Sequence, residues 1–344
     1  MTKIRLTLAC SEYDRTAALI SGDIEPEGIS LNYLRLPVEE IFWRMIKHQE
    51  FDVSEMSFSS YMIHRSRTDD FMAIPVFPSR FFRHSCIFIN ARAGIERPED
   101  LVGKRVGVPE YQMTASLWQR ALLQHEYGVH PSALRWFQGG LEEPGRVEKQ
   151  TIDLPTEIDI QPIGPTQTLS QMLKDGEIDA LLSAHAPSSF YDNDINAMSS
   201  NTPLISGGSG QVRRLFPNYK EVEQAYFKKT GIFPIMHVIV LRKDVLEKHL
   251  WAARSFYKTF SLAKDQLFKQ MADTVVLRLS LPWLFAELEE TVRLMGSDFW
   301  PYGVEANIKT LEAATLYSHE QGLTPHKLDV EELFVPGTID EFKI

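Results

Sequence analysis

Arginine and histidine side chains lie in a part of the chain that has no acidic residue. Residues 71–95 contain neither Asp nor Glu, although the 344-residue chain has a formal net charge of -10. Arg80, Arg83 and His84 fall in this stretch. Because a guanidinium group matches the geometry of a carboxylate, both arginines are candidates for binding a small anion. They can share one ligand only if a turn or bulge lies between them. The alternative is a basic face on an exposed edge strand.

Three histidines and a glutamate are candidates for acid–base chemistry, since an imidazole titrates near neutral pH. His84 follows the second arginine directly, and His185 comes at the end of a predicted strand. His237 lies within an apolar strand, where it lines a ligand site or is a core histidine with one bonded nitrogen. Glu55 would orient a histidine or accept a phenol proton. Its alternatives are a solvated acid or a partner for an arginine.

Five further polar or aromatic residues occur where strands are predicted to meet helices. Backbone N–H groups at a helix N-terminus favour a carboxylate, so Tyr111, Gln112 and Thr114 are candidates for substrate binding. Thr114 would also serve as an ordinary N-cap. Ser57 and Ser59 could donate to substrate oxygens or cap the following helix.

Composition limits the partners and the compartment. The sequence pI is about 5.5 and no sustained basic tract occurs, which argues against nucleic acid and against an anionic membrane surface. No apolar stretch approaches the length of a membrane span. Cys10 and Cys86 lie in apolar segments without metal-ligand spacing, and residues 1–15 do not resemble a secretory signal. We therefore expect two buried thiols and a cytoplasmic protein.

Strand and helix patterns alternate along the chain, which predicts the α/β class. The pattern predicts strands at residues 3–10, 28–36, 51–56, 82–90, 105–108, 178–183 and 233–241. It predicts helices at residues 15–22, 38–49, 115–127, 169–174, 245–271, 283–295 and 304–321. Residues 188–220 are rich in Ser, Asn, Gly and Pro, which predicts a mobile loop over a site.

The arrangement predicts two α/β lobes joined by two crossover strands. Lobe I would comprise residues 1–88 and 239–344, including the C-terminal helices, and lobe II residues 89–238. Ligands of such sheets bind outside the carboxyl ends of strands, so we expect the polar strand ends to meet at a cleft between the lobes. The aromatic C-terminal helices could also cover a homo-oligomer interface, or could pack within one lobe.

Four segments together resemble the 4,5-dihydroxyphthalate decarboxylase family. They are residues 51–61 (FDVSEMSFSSY), 77–85 (FPSRFFRHS), 107–114 (GVPEYQMT) and 300–303 (WPYG). The resemblance runs from the first strand to Phe334. It implies the two-lobed fold of type II periplasmic solute-binding proteins. It also implies a cytoplasmic enzyme that converts 4,5-dihydroxyphthalate to protocatechuate and CO2 without an organic cofactor.

That reaction would need an acid above the ring carbon, a base or donor at the hydroxyls and a cationic clamp for the remaining carboxylate. Protonation of the carbon that bears the carboxylate avoids an aryl carbanion. The clamp would be Arg80 or Arg83, and the proton carrier one of the three histidines.

Two other functions remain open from the sequence. One is a cytosolic solute-binding or sensor protein for a small aromatic carboxylate. The other is a lyase of a menaquinone or thiamine-precursor pathway on the same scaffold. The chain has no GxGxxG, Walker, HExxH or CxxC motif, so neither a cofactor nor a metal is predicted.

Overall fold

The computed structural model describes residues 2–191, 210–277 and 279–339. The chain divides into two compact units. Unit 1 comprises Met1–Arg80, Ile235–Thr315 and Leu328–Ile344, and unit 2 comprises Phe81–Pro234 and Leu316–Lys327. The chain therefore leaves unit 1 after Arg80 and returns to it at Ile235.

The strands, in chain order, are β1 Ile4–Ala9, β2 Ile29–Leu34, β3 Val53–Ser57, β4 Phe71–Arg80, β5 Ile87–Asn90, β6 Arg105–Val108, β7 Arg135–Gln138, β8 Ile160–Pro162, β9 Ala180–Leu182, β10 Val212–Arg214 and β11 Ile235–Arg242. The α-helices are α1 Ala17–Ser21, α2 Val38–His48, α3 Phe58–Arg65, α4 Thr114–Tyr127, α5 Leu169–Asp175, α6 Tyr219–Thr230, α7 Lys243–His249, α8 Trp251–Met271, α9 Leu284–Met295 and α10 Ile308–Glu320.

The sheet of unit 1 has the strand order β2-β1-β3-β11-β4. β1 is parallel to β2 and to β3, whereas β11 is antiparallel to β3 and to β4. All five residues of β3 are buried, and β11 is buried along most of its length. β11 reads as a continuous apolar run because both faces of this interior strand are largely buried. His237 and Glu55 therefore lie on adjacent interior strands of this sheet.

The sheet of unit 2 has the strand order β10-β5-β9-β6-β7-β8. β6 is parallel to β7 and β9, and β5 is antiparallel to β9 and β10. Helix α4 buries Leu117, Trp118 and Leu123. The residue that follows its last turn is Gly128, which has a φ of 69°. That left-handed value favours glycine, as the sequence predicted for the end of this helix.

The α/β class is confirmed, and the helices that follow β11 begin within unit 1. Helix α8 packs there against α1 and β4. The predicted helix over residues 245–271 is divided, because α7 ends at His249 and α8 begins at Trp251. The predicted helix over residues 304–321 starts as a 3-10 turn, and its α-helical part is α10.

The predicted strand over residues 82–90 begins too early. β4 continues to Arg80, and His84–Cys86 forms a 3-10 turn before β5 begins at Ile87. Pro75 and Pro78 lie within β4, and the residues between them are buried and remain extended. The prediction that Thr114 caps α4 is also wrong, since Met113 is the capping residue and Thr114 the first helical one.

The predicted mobile loop at residues 188–220 falls largely on residues 192–209, which lie outside the described residues. None of the described helices combines the length and the apolar character that a membrane span requires.

Candidate active site

Glu55 is a fully buried carboxylate in the centre of the unit 1 sheet. Its exposed fraction is 0%. β3 carries it between β1 and β11, and Ala9 of β1 pairs with Ser54. This register places the turn after β1, which begins at Cys10, beside the Glu55 side chain. A carboxylate so far from water requires hydrogen-bond donors from the protein.

The turn after β1 supplies three of those donors. Oε2 of Glu55 accepts from the Ser11 backbone N–H at 2.8 Å and faces the Cys10 Sγ at 3.4 Å. Oε1 accepts from the Tyr13 hydroxyl at 2.5 Å. Tyr33 steadies the turn from β2 by donating to the Ser11 carbonyl oxygen at 3.0 Å. The turn therefore holds the carboxylate through contacts with both of its oxygens.

His237 supplies the fourth donor from β11. Its Nδ1 lies 2.6 Å from Oε1 of Glu55. In the β3–β11 ladder His237 pairs with Ser57 and Ile239 with Glu55, which places His237 and Glu55 on the same face of the sheet. The ring of Phe42 meets the imidazole edge to face at 4.9 Å. The imidazole thus has a fixed orientation, and 17% of its side chain remains exposed.

The hydrogen bonds determine the charge of Glu55. Burial alone would raise the pKa of its carboxyl. The hydrogen bond and charge of His237, with the donors from Tyr13 and Ser11, outweigh burial and hold the pKa of Glu55 below its usual value. Burial and the nearby Glu55 raise the pKa of the Cys10 thiol and of the Tyr13 hydroxyl. The carboxylate is therefore charged and its three donors from the turn keep their protons.

β4 is irregular opposite His237, and its prolines explain why. The β4–β11 register shifts on both sides of His237, across a segment of β4 that contains Pro75 and Pro78. Carbonyl groups freed there bind elsewhere in unit 1: Phe77 O accepts from the Trp300 indole at 2.9 Å, and Pro78 O accepts from Arg15. The Arg15 guanidinium lies over both the Tyr13 and the Trp300 rings, at 4.4 and 4.3 Å from their centroids. Irregularities of this kind commonly redirect a side chain beside an active site.

Arg80, at the end of β4, is buried in unit 1. Its Nη2 donates to the Pro301 carbonyl oxygen at 2.8 Å and to Asn307 Oδ1. Burial lowers the pKa of its guanidinium to about 9. These contacts give Arg80 a role in holding the Trp300–Gly303 segment, and its role as a substrate clamp remains a prediction.

The two serines predicted to bind substrate are also in unit 1. Ser57 ends β3, precedes α3 and pairs with His237 in the ladder. Ser59 is fully buried within the first turn of α3. Of the two, only Ser57 is placed by the ladder next to the imidazole.

Arg83 and His84 belong to unit 2. Arg83 Nη1 donates to the Ala184 carbonyl oxygen at 2.8 Å, and burial lowers the pKa of the guanidinium. His84 contacts the Phe216 and Tyr226 rings edge to face, and its Nδ1 is 3.8 Å from Oε1 of Glu223. Burial lowers the pKa of His84 to about 4 and raises the pKa of Glu223 to about 7. Both shifts favour an uncharged pair, in which His84 is a neutral imidazole.

The remaining predicted site residues are also in unit 2. Tyr111 is fully buried, and the Arg120 guanidinium lies 3.6 Å from its ring centroid. Gln112 donates to the Gln150 carbonyl oxygen at 3.0 Å, which ties the start of α4 to a loop. Thr114 is the buried first residue of α4. His185 is exposed after β9. Ligand contact by these residues remains a prediction.

Sequence reasoning missed Tyr13 as a site residue. The signal was present, since the polar run that follows β1 was expected to lie at a strand end near a ligand. What the sequence could not show is that this run binds one particular carboxylate, 42 positions further along the chain.

The Glu55–His237 pair is suited to proton transfer. A carboxylate that accepts from Nδ1 fixes the tautomer, supports an imidazolium and leaves Nε2 as the atom that exchanges a proton with a ligand. Among the described residues, no group of three or more His, Cys, Asp or Glu side chains is arranged to hold a metal ion.

Comparison with curated proteins identifies the family. The chain is 36% identical over 345 residues to a 4,5-dihydroxyphthalate decarboxylase of Comamonas testosteroni, covering 100% of both chains. It is 42% identical over 191 residues to the enzyme of the same name from Pseudomonas putida, covering 55% of this chain and 74% of that protein. No family model matches.

Comparison with solved structures addresses the fold. The periplasmic aliphatic sulphonate-binding protein SsuA of Escherichia coli matches with a TM-score of 0.50 at 14% identity, covering 98% of this chain and 99% of that chain. A putative periplasmic sulfonate-binding protein SsuA of Methylobacillus flagellatus also gives 0.50, at 13% identity, covering 98% and 94%. At this identity the likeness shows the fold alone, and it confirms the predicted periplasmic-binding-protein-like class. With the full-length similarity described above, the chain belongs to the family of the 4,5-dihydroxyphthalate decarboxylases, which are carboxy-lyases.

Proposed function

We propose that this protein decarboxylates 4,5-dihydroxyphthalate to protocatechuate and CO2 without an organic cofactor. The family and the full-length relative support the substrate. The observation that carries the mechanism is the 2.6 Å hydrogen bond between Glu55 and Nδ1 of His237.

The substrate supplies its own electron source. Each hydroxyl of 4,5-dihydroxyphthalate is para to one carboxylate, so an ionised hydroxyl directs electron density to the carbon that bears that group. Protonation of this carbon gives a dienone-like intermediate. The C–C bond to the carboxylate then breaks, its electron pair restores the aromatic ring, and CO2 leaves.

His237 is the proposed proton donor to that carbon. One proton is consumed for each CO2 released, because a dianion gives a monoanion and a neutral gas. An imidazolium at His237 would give this proton from Nε2, and the ionised Glu55 would stabilise the imidazolium before transfer. General acid–base assistance of this kind contributes about 10²–10⁴-fold to a rate.

The other predicted site residues are proposed as substrate contacts. In unit 1, Ser57 is the candidate donor that lies opposite His237 in the ladder. The remaining candidates for carboxylate or hydroxyl contacts are Ser59, Arg80, Arg83, Tyr111, Gln112 and Thr114. His84 and His185 are the alternative proton carriers. Burial lowers the pKa of His84 to about 4, so little His84 imidazolium is present near neutral pH to give a proton. Ring-carbon protonation in a cleft between two lobes stays a prediction.

The test is to incubate the purified protein with 4,5-dihydroxyphthalate in D2O and to follow CO2, protocatechuate and ring deuterium. We expect one CO2 and one protocatechuate per substrate, with deuterium at the carbon that lost the carboxylate. Turnover should persist after treatment with a chelator. Binding without CO2 release would instead favour a cytosolic solute-binding or sensor protein, and neither binding nor release would favour a lyase with another substrate.

A further inference from the structure

We propose that Tyr13 is a positioning residue for the reaction: its hydroxyl holds Glu55 in the place and charge state that keep the His237 proton on Nδ1. The inference rests on the proposed function for its catalytic consequence. Its structural part is that Tyr13 positions Glu55 and, through it, His237, and all three residues belong to unit 1.

The geometry fills every acceptor position of Glu55. Tyr13 and His237 both approach Oε1, at 2.5 and 2.6 Å, while Ser11 and Cys10 approach Oε2. An ionised carboxyl group has about four lone-pair sites, so these four donors saturate it. A saturated carboxylate is more stable as the anion, and it cannot rotate without breaking several hydrogen bonds.

Tyr13 and His237 bond to the same oxygen of Glu55, Oε1, whereas Ser11 and Cys10 approach Oε2. The Tyr13 hydroxyl lies 3.4 Å from Nδ1 of His237 as well as 2.5 Å from Glu55. The 3-10 turn Asp14–Thr16 follows directly, and Thr16 Oγ1 accepts from the Tyr13 backbone N–H at 3.1 Å. The Arg15 guanidinium covers one side of the ring at 4.4 Å. The hydroxyl is thus aimed by contacts on both its backbone and its ring.

Removal of this hydroxyl has a predictable electrostatic effect. The titratable and charged groups that act on Glu55 and its donors are Cys10, Tyr13, Tyr33, Arg15 and His237. Without the Tyr13 donor, less of the negative charge of Glu55 is compensated. The carboxylate and its imidazole partner then hold their protons more tightly, so the apparent pKa values of the pair move to higher pH.

The experiment uses Tyr13→Phe, which removes only the hydroxyl. We expect kcat to fall about ten-fold or more with KM little changed, and the pH–rate profile to move to higher pH. ¹⁵N spectra of histidine-labelled protein, with the His237 signal assigned by its loss in His237→Gln, should show a protonated Nδ1 in the wild type. They should also show a higher titration midpoint for His237 in Tyr13→Phe.

Tyr61→Phe is the matched control. The Tyr61 hydroxyl is buried in unit 1 and bonds to the backbone of Ala73 and Leu333 instead of to Glu55. Its loss should lower thermal stability while the pH profile and the His237 midpoint stay unchanged. If both variants lose activity equally and neither moves the His237 midpoint, Tyr13 is merely structural and the inference is overturned. A wild type that releases no CO2 refutes the proposed function, whereas the His237 titration still decides the role of Tyr13.

Discussion

Nη2 of Arg80 donates to the carbonyl oxygen of Pro301 at 2.8 Å, which joins two sequence segments that are more than 200 positions apart. Both belong to the short motifs on which the family resemblance rests. The same pair of segments is joined by Trp300, whose indole donates to Phe77 O. The N–H of Gly303 donates to Pro75 O, just before the first segment, at 2.8 Å. These residues of the two motifs therefore have structural roles within unit 1, independent of any ligand.

Replacement of Arg80 separates its structural role from its predicted role as a clamp. Arg80→Met keeps the apolar stem but removes the donors to Pro301 and Asn307. We expect the free energy of unfolding to fall by about 1–3 kcal/mol, because a buried and a partly buried acceptor lose a charged donor. Urea unfolding measures this loss. An unchanged stability together with a large rise in KM would show that Arg80 serves the substrate instead.

The His84–Glu223 pair predicts a pH dependence of stability. The folded-state pKa of Glu223 is raised to about 7, so its contribution is fully present below the unfolded pKa and is lost as the pH rises through about 7. The folded-state pKa of His84 is lowered to about 4, which costs stability as the pH falls from about 6.5 to 4. A rise in pH therefore reduces the stabilising contribution of Glu223 but removes the destabilising contribution of His84.

Glu223→Gln isolates the glutamate, because an amide keeps the acceptor for the Ser85 N–H but does not titrate. Relative to the wild type, the variant should gain stability as the pH rises from about 4.5 to 7, by about 1–3 kcal/mol in total. Thermal or urea unfolding at several pH values measures the difference. A difference that stays constant across this range would mean that Glu223 is ionised in the folded protein.

Glu55→Gln tests the orientation of the imidazole. A glutamine offers one acceptor oxygen and one donor nitrogen to a site that holds four donors, so the His237 tautomer is no longer fixed. We expect kcat to fall about 100-fold or more while substrate binding persists. Steady-state kinetics and binding of the substrate to the variant check both parts. Full activity in this variant would remove Glu55 from the mechanism.

Much of the fold could be predicted because local pattern and burial agree. β1 alternates apolar and polar residues over Ile4–Ala9, and α4 has a glycine immediately after its last turn. β11 reads as a continuous apolar run because it lies between two strands of the sheet. In each of these cases the local preference matches the tertiary environment.

β4 could not be predicted from local pattern, because its prolines are accommodated by partners elsewhere in the chain. The carbonyl groups of Pro75, Phe77 and Pro78 bind Gly303, Trp300 and Arg15. No local pattern reveals those partners. The cap of α4 was misplaced for a smaller reason, since Met113 and Thr114 are adjacent and local preference favours threonine.

The candidate site was predicted only in part. Glu55 and His237 were named, and their pairing follows from the antiparallel register of β3 and β11. The role of Tyr13 depends on the parallel register of β1 and β3, which no single sequence displays. Likewise, Glu223 could not be paired with His84 from the sequence, because α6 reaches the 3-10 turn at His84 only through the tertiary fold.

The most direct measurement of the central claim is the rate of CO2 release from 4,5-dihydroxyphthalate by the wild type, by His237→Gln and by His326→Gln, which alters an exposed histidine in unit 2. The proposed mechanism predicts release by the wild type and by His326→Gln at similar rates. It predicts a rate at least about 100-fold lower for His237→Gln, with substrate still bound. CO2 release by His237→Gln at the wild-type rate would contradict it.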